Sequence, residues 1–261
     1  MHSEIYGHAE LYDIALGFKD VPAECDVLVE LARRFGGREP LSFLELAAGP
    51  ATHAREMAKR RLRSTAIDLS PGMVAYARSR AADEGLDMEV IEADMTDFTI
   101  AEPVDVATIL MDSLGVLLDN DAVIRHLDCV ADALKEGGVY VLEMGHPRDV
   151  FKVGKSAEND WEMERDGIRV HTTWGLDTDP FDPTTQIIEN TVTFTWEREG
   201  EQGEITEILP DRSITPNEMR AVVAASGRFE VVAELGAMNL DVPFGNTKES
   251  WRYVPVLRRI N

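Results

Sequence analysis

Five carboxylates stand at or just past the ends of short apolar runs. They are Glu45 in LSFLELA (41–47), Asp68 in STAIDL (64–69), Asp94 after MEVIEA (88–93), Asp112 after VDVATILM (104–111) and Glu143 in VYVLEM (139–144). A carboxylate accepts hydrogen bonds from the two hydroxyls of a ribose, from an exocyclic amine or from an ammonium. The set suits a nucleoside that carries an amino-acid tail and no phosphate. Asp68 would take the ribose diol, and Glu45 with the backbone of the turn Ala47-Ala48-Gly49-Pro50-Ala51 would take the ammonium. The helix start near Pro50 would receive the tail carboxylate, and Asp94 with the Met95 N–H would meet the base. A dinucleotide fits worse. Aligned on Gly49, the turn keeps one of the three glycines of GxGxxG, and no GK[ST] follows a glycine loop.

These residues need a scaffold that brings several strand ends to one edge. The apolar runs alternate with helical stretches over 52–60, 71–85 and 120–135, with Pro71 at a first helical position and Glu136-Gly137-Gly138 closing the third helix before a strand over 139–144. Runs apolar on both faces predict a doubly wound α/β fold around a mostly parallel seven-stranded sheet, with ligands outside the carboxyl ends of its strands. From Phe151 the rhythm changes. WEMERD, IRVHTTWGLDT, QIIENTVTFTWERE and QGEITEIL are rich in Thr, Ile, Val and Trp and predict an antiparallel β insert. Thr215, Pro216 and Glu218 then mark a helix start with a capping box, and 228–235 and 250–259 read as closing strands. The expected division is a core of 1–150 and 210–261 and an insert of 151–209 that forms a lid.

The 261 residues carry 48 acids and 26 bases, a net charge of −22, with 44% hydrophobic residues. That charge disfavours nucleic acid and anionic membranes, both of which are gripped by clustered Lys and Arg. Lys59, Arg60 and Arg61 sit at a helix end, where cations favour the helix dipole. Two cysteines make no framework, no apolar run reaches the length of a membrane span, and the N-terminus has no apolar leader core. A cytoplasmic setting is expected. The six histidines form no HxxxH, so no metal is expected.

The ordered motifs resemble those of the class I S-adenosylmethionine-dependent methyltransferases. Glu45-x-Ala47-x-Gly49-x-Ala51 is similar to the first motif of that family with two glycines replaced by alanine, and AIDLSPGMVAYAR (66–78), EADMTDF (92–98) and LKEGGVYVLEM (134–144) resemble the later ones. The resemblance implies S-adenosylmethionine as cofactor and S-adenosylhomocysteine as product. It implies a binding set of Tyr12, Glu45, Ala47, Gly49, Asp68, Leu69, Met73, Asp94, Met95 and Asp112, with Tyr12 covering the cofactor from the N-terminal segment. The β insert resembles that of small-molecule methyltransferases, including some sugar-amine and glycine N-methyltransferases, and implies a small organic acceptor methylated on N or O.

Methyl transfer asks the protein to position the acceptor and, where needed, to take its proton. His146 and Asp112 are the candidates for that work, and Trp161, His171, Trp174 and Arg212 are candidates for the acceptor pocket. Two other readings stay open at this point, a nicotinamide-dependent oxidoreductase and a non-catalytic module that binds an adenosyl ligand. A homodimer through the insert also stays open.

Overall fold

The computed structural model describes residues 3–150 and 160–260. The expected boundary at 150/151 and the first residues of the insert lie outside them. In chain order the elements are α1 (Glu4–Gly7), α2 (Ala9–Ala15), α3 (Val21–Gly36), β1 (Ser42–Leu46), α4 (Thr52–Lys59), β2 (Arg63–Asp68), α5 (Pro71–Asp83), β3 (Met88–Glu92) and β4 (Val104–Ile109). A 3-10 turn at Ser113–Val116 leads to α6 (Asn120–Ala133), β5 (Leu134–Leu142), β6 (Met144–Gly145) and α7 (Pro147–Val150). The second half holds β7 (Asp160–Arg165), β8 (Ile168–Trp174), β9 (Phe181–Asp182), β10 (Ile187–Arg198), β11 (Glu201–Arg212), α8 (Pro216–Ser226), β12 (Phe229–Leu235) and β13 (Arg252–Arg259).

The main sheet runs β12-β13-β5-β4-β1-β2-β3. Strands β3, β2, β1, β4 and β5 are parallel, and β13 enters antiparallel between β5 and β12. The expected seven strands are present, joined by the two-residue β6 beside β13. Every residue of β1 and β4 is buried, as strands covered by helices on both faces require. The helices start where side chains accept the first free N–H groups. Ser70 takes the Met73 N–H at 3.4 Å ahead of Pro71, Asp119 takes the Ala122 N–H at 2.7 Å, and Thr215 takes the Glu218 N–H at 3.3 Å ahead of Pro216. The Glu218 carboxylate does not close a capping box; it pairs with Arg212 instead.

Two elements differ from expectation. Glu136-Gly137-Gly138 does not end the third helix. That helix stops at Ala133, and the three residues lie inside β5, where Gly137 takes φ +72° and the register with β4 shifts between Val104↔Leu134 and Val106↔Val139. The fourth insert strand runs past Leu209 to Arg212. Pro210 cannot donate to a ladder, but β11 is the outer strand of the second sheet, β11-β10-β8-β7, so nothing is lost on its open side.

That second sheet is antiparallel and buries one face. Ile168, Val170, Val192, Phe194 and Ile205 pack on Ile5, Leu11, Ile14 and Ala15 of α1 and α2. The N-terminal helices are therefore clasped between the insert sheet and the core. The Trp161 indole N–H donates to the Ala15 carbonyl at 2.7 Å, and Ser3 donates to Glu207 at 2.6 Å. Among the described residues no helix is long and apolar enough to cross a membrane.

Candidate functional site

The turn after β1 is wound by its backbone. Ala47, Gly49 and Ala51 all take the left-handed conformation, at φ 46°, 52° and 55°. These are the three alternate positions at which glycine was expected on resemblance, so the turn keeps its shape although two positions carry a Cβ. The alanines pay roughly 1–2 kcal/mol each in that conformation. Such a turn brings bare backbone to the sheet edge. A Cβ on Gly49 would stand 3.7 Å from Tyr12 Cε1 and 3.9 Å from Met73 Sδ, so Tyr12 lies over the turn and Met73, fully buried, lies against it.

Glu45 also does work inside the fold. Helix α4 begins at Ala51, which has no side-chain acceptor for the first N–H groups. Glu45 supplies one from below: Oε2 accepts from the Ala54 N–H at 2.7 Å, and Oε1 lies 3.2 Å from His53 Nδ1. It is buried and holds a partner from its own chain on each oxygen, with one lone pair left on each. His53 Nε2 lies 2.7 Å from Glu24 Oε2, so the ring bridges two carboxylates. Burial alone would push its pKa down, but the two carboxylates outweigh burial and raise it to about 9. The network runs on through Lys19, 3.1 Å from Glu24 and 2.8 Å from Glu143, to Arg252, 3.4 Å from Glu143. Burial would raise the Glu143 pKa, yet the two cations hold it below the usual carboxylate range.

Asp68 ends β2 beside the turn. Its Oδ2 accepts from the Gly49 N–H at 2.7 Å and its Oδ1 from the Ser70 N–H at 2.8 Å. Burial pushes its pKa up, against the pull of those two N–H groups. Each oxygen keeps a lone pair, so a ribose diol can still be accepted. The next residue, Leu69, is 60% exposed, an apolar surface left open at the strand end. Asp94 is exposed, and its Oδ1 accepts from Thr96 N–H and Oγ1. Met95 is buried, with its carbonyl 2.9 Å from His126 Nδ1 and its N–H without a partner among the described residues. Tyr12, Gly49, Asp68, Leu69, Met73, Asp94 and Met95 thus gather along the ends of β1, β2 and β3.

The ends of β4 and β5 hold carboxylates. Met111 and Asp112 take left-handed φ of 57° and 61°, which turns the chain sharply and sets the Asp112 N–H on the Glu143 carbonyl at 3.0 Å. Asp112 faces Asp211, from the end of β11, across the glycines Gly115 and Gly145. Burial, and then Asp112, push the Asp211 pKa up to about 8. Asp211 was not singled out in the sequence, where it lies beyond Pro210.

The remaining candidates are placed elsewhere. His146 Nε2 lies 3.1 Å from the Gly245 carbonyl, its Nδ1 accepts from the Arg148 N–H at 3.1 Å, and the ring packs on Phe244. With both nitrogens on backbone it has no lone pair for an acceptor proton. His171 is on the outer face of the insert sheet, 2.8 Å from Asp160, turned away from the site because Val170 and Thr172 on either side take the buried face. Trp161 is bonded to Ala15 and stacked edge-on with Phe18, and Trp174 is part-buried beside the apolar cluster that the insert sheet shares with the N-terminal helices. Arg212 is buried and bonded to Asn120 at 2.8 Å and to Glu218. Trp161, His171 and Arg212 are thus each tied to a partner within the fold. Both cysteines are free, and no cluster of three or more metal-ligating side chains occurs among the described residues.

Known proteins are similar to this chain in sequence and in fold. Residues 43–138 match the family described as Methyltransferase domain. The chain is 30% identical over 138 residues to the dTDP-3-amino-3,4,6-trideoxy-alpha-D-glucopyranose N,N-dimethyltransferase of Streptomyces venezuelae, covering 52% of this chain and 56% of that one. It thus spans about half the length of the curated relatives it matches. A methyltransferase of Clostridium acetobutylicum described as S-adenosylmethionine-dependent superposes with a TM-score of 0.79 at 17% identity, over 97% of this chain and 98% of that one. CalS10, an amino pentose methyltransferase of Micromonospora echinaspora solved with S-adenosylmethionine bound, superposes at 0.71 and 20% identity, over 99% and 98%. The fold is that of the class I S-adenosylmethionine-dependent methyltransferases. Within it, residues 43–138 are the stretch that matches the Methyltransferase domain family.

Proposed function

We propose that the protein is an S-adenosylmethionine-dependent methyltransferase acting on N or O of a small organic acceptor. The observation that carries this reading is the left-handed turn at Ala47, Gly49 and Ala51 with Asp68 beside it, at the edge where β1 and β2 end. Asp68 would hold the ribose hydroxyls, the exposed Leu69 and the Asp94–Met95 segment the adenine, and the turn backbone beneath Tyr12 the amino-acid tail. When bound, S-adenosylmethionine supplies a methyl group on a sulfonium, already activated for in-line displacement. The chain has only to orient the acceptor, exclude water and receive a proton. Residues 1–150 and 213–261 would form the cofactor-binding core. The insert would end with β11 at Arg212 and clasp the N-terminal helices over the site. The N,N-dimethyltransferase relatives support an acceptor of sugar-nucleotide size. The net charge of −22 disfavours nucleic acid, and two free cysteines suit a reducing cytoplasm.

The test is calorimetry with S-adenosylhomocysteine, then transfer from methyl-labelled S-adenosylmethionine to a panel of amines, phenols and dTDP-linked amino and hydroxy sugars. Binding with turnover is expected. Binding without turnover on any acceptor would leave an adenosyl-binding module, and no binding by folded protein would end the reading.

A further inference from the structure

Glu45, His53, Glu24, Lys19, Glu143 and Arg252 form one line of alternating acid and base. Neighbours lie 3.2, 2.7, 3.1, 2.8 and 3.4 Å apart in that order. Glu45, His53 and Glu143 are buried, and the Lys19 side chain is 9% exposed. Ions set in such surroundings give up their hydration, so a pair gains little stability over packed apolar groups; removing one partner, however, strands the other.

Lys19 stands on the linker between α2, which carries Tyr12, and α3. Its Nζ joins that linker to Glu24 in the first turn of α3 and to Glu143, 124 residues away in sequence. Glu143 is a firm anchor. Its Oε2 also accepts from the Met111 N–H at 3.1 Å, and its own N–H donates to the Ile109 carbonyl at 2.9 Å. Elsewhere the N-terminal helices rest on α5. The Tyr76 hydroxyl donates to Asp13 at 2.9 Å, the Ser70 hydroxyl donates to the Tyr6 carbonyl at 3.2 Å, and a Cβ on Gly72 would stand 3.2 Å from the Gly7 carbonyl oxygen. In the chain, Tyr12 falls between the attachment at Tyr6 and the attachment at Lys19, and in space it lies over Gly49.

Resting on the methyltransferase reading, we propose that Lys19 is the positioning residue of the cofactor cover: its pairs with Glu143 and Glu24 hold Tyr12 over the turn, and cofactor and product pass when those pairs open. A molecule seated along Gly49 and Asp68 lies under the segment that carries Tyr12. Lifting that segment draws one ammonium off two carboxylates and leaves Glu24 to His53 and Glu143 to Arg252. The pairs join protein to protein, so they favour the closed form equally with the site filled or empty. Lys19 therefore sets how fast the site opens and has little effect on how tightly it binds.

Stopped-flow mixing of the full chain with S-adenosylhomocysteine, with calorimetry for affinity, separates these quantities. Lys19→Met should bind and release S-adenosylhomocysteine at least about tenfold faster than the wild type, with affinity held within about threefold. Lys19→Arg, which keeps the charge, should return both rates to within about threefold of the wild type. The double variant Lys19→Met/Glu143→Gln leaves no bare carboxylate at Glu143, guards against a failure to fold, and should be as fast as Lys19→Met. In the wild type itself the observed binding rate should level off at high S-adenosylhomocysteine, because opening precedes entry. Wild-type rates in the folded variants, or affinity lost with the association rate unchanged, overturns the proposal. So does a wild-type binding rate that climbs without limit, and in each case the cofactor reading stands. If the folded wild type does not bind S-adenosylhomocysteine, the cofactor reading falls first and this inference with it.

Discussion

His53 should make the stability of this protein fall with rising pH above neutrality. Its ring is held between Glu24 and Glu45 and carries its proton up to about pH 9, against about 6.5 in the unfolded chain. A pKa raised in the folded state gives stability that is fully present below 6.5 and lost as pH climbs through 9. At about 1.36 kcal/mol per pH unit, that window amounts to about 3 kcal/mol. The measurement is urea unfolding at steps from pH 6 to 9.5, for the wild type and His53→Gln. Asp211, pushed up to about 8, makes the folded state less favourable over part of the same range, but it does so in both proteins and cancels in the difference. The wild type should lead the variant by about 3 kcal/mol at pH 6, with the gap closing toward pH 9. Parallel profiles would refute the reasoning and would mean that the ring is neutral between its two carboxylates. On the acid side His126 acts in the opposite sense. Buried between Met95 O and the Tyr140 hydroxyl, it is held neutral by burial with a pKa lowered to about 4, so stability drains away as pH falls from 6.5 toward 4.

Asp68→Asn should weaken S-adenosylhomocysteine binding by about 10- to 100-fold, since hydrogen bonds to a charged group contribute about 1.5–3 kcal/mol; unchanged affinity in calorimetry would remove its ribose role. Ala47→Gly should stabilise the fold by about 0.5–1 kcal/mol, the relief of a left-handed alanine less the added chain entropy of glycine. Gly49→Ala, with room for its Cβ but a φ of 52°, should cost about 1–2 kcal/mol, and equal melting temperatures for the two variants would argue against the turn geometry. His171→Ala, on the outer face of the insert, should change stability by less than about 0.5 kcal/mol and leave turnover alone; a large loss of turnover would return it to the acceptor site.

The parallel core was legible because its strands announce themselves as short apolar runs, and α5 and α8 by a cap and a proline. The acids at the strand ends could be found for the same reason, since the fold puts such ends at one edge. The misreadings share a cause. Glu45 has the residue type and place of a ligand-binding acid, but only the start of α4 at a capless alanine shows that it also receives the Ala54 N–H and holds His53. His146 has the right chemistry, yet Gly245, far along the chain, occupies it. Gly137 and Pro210 are strong breakers in isolation, and the sheet accepts one at a register shift and the other on its outer strand. Asp211 went unseen because reading Pro210 as the end of a strand hid it, and because its partner Asp112 is brought near only by the second sheet.

The clasp of α1 and α2 between the two sheets ties together parts that the chain keeps far apart. Residues of the first fifteen form one apolar cluster with Val170, Phe194 and Ile205, and Tyr12 in the same helix stands over Gly49. The insert therefore cannot be exchanged by itself. A chimaera that takes the β segment from a relative, to change which acceptor is used, must take the N-terminal helices from the same parent. Otherwise it would set one protein's helix surface against another's sheet and shift the tyrosine that covers the turn.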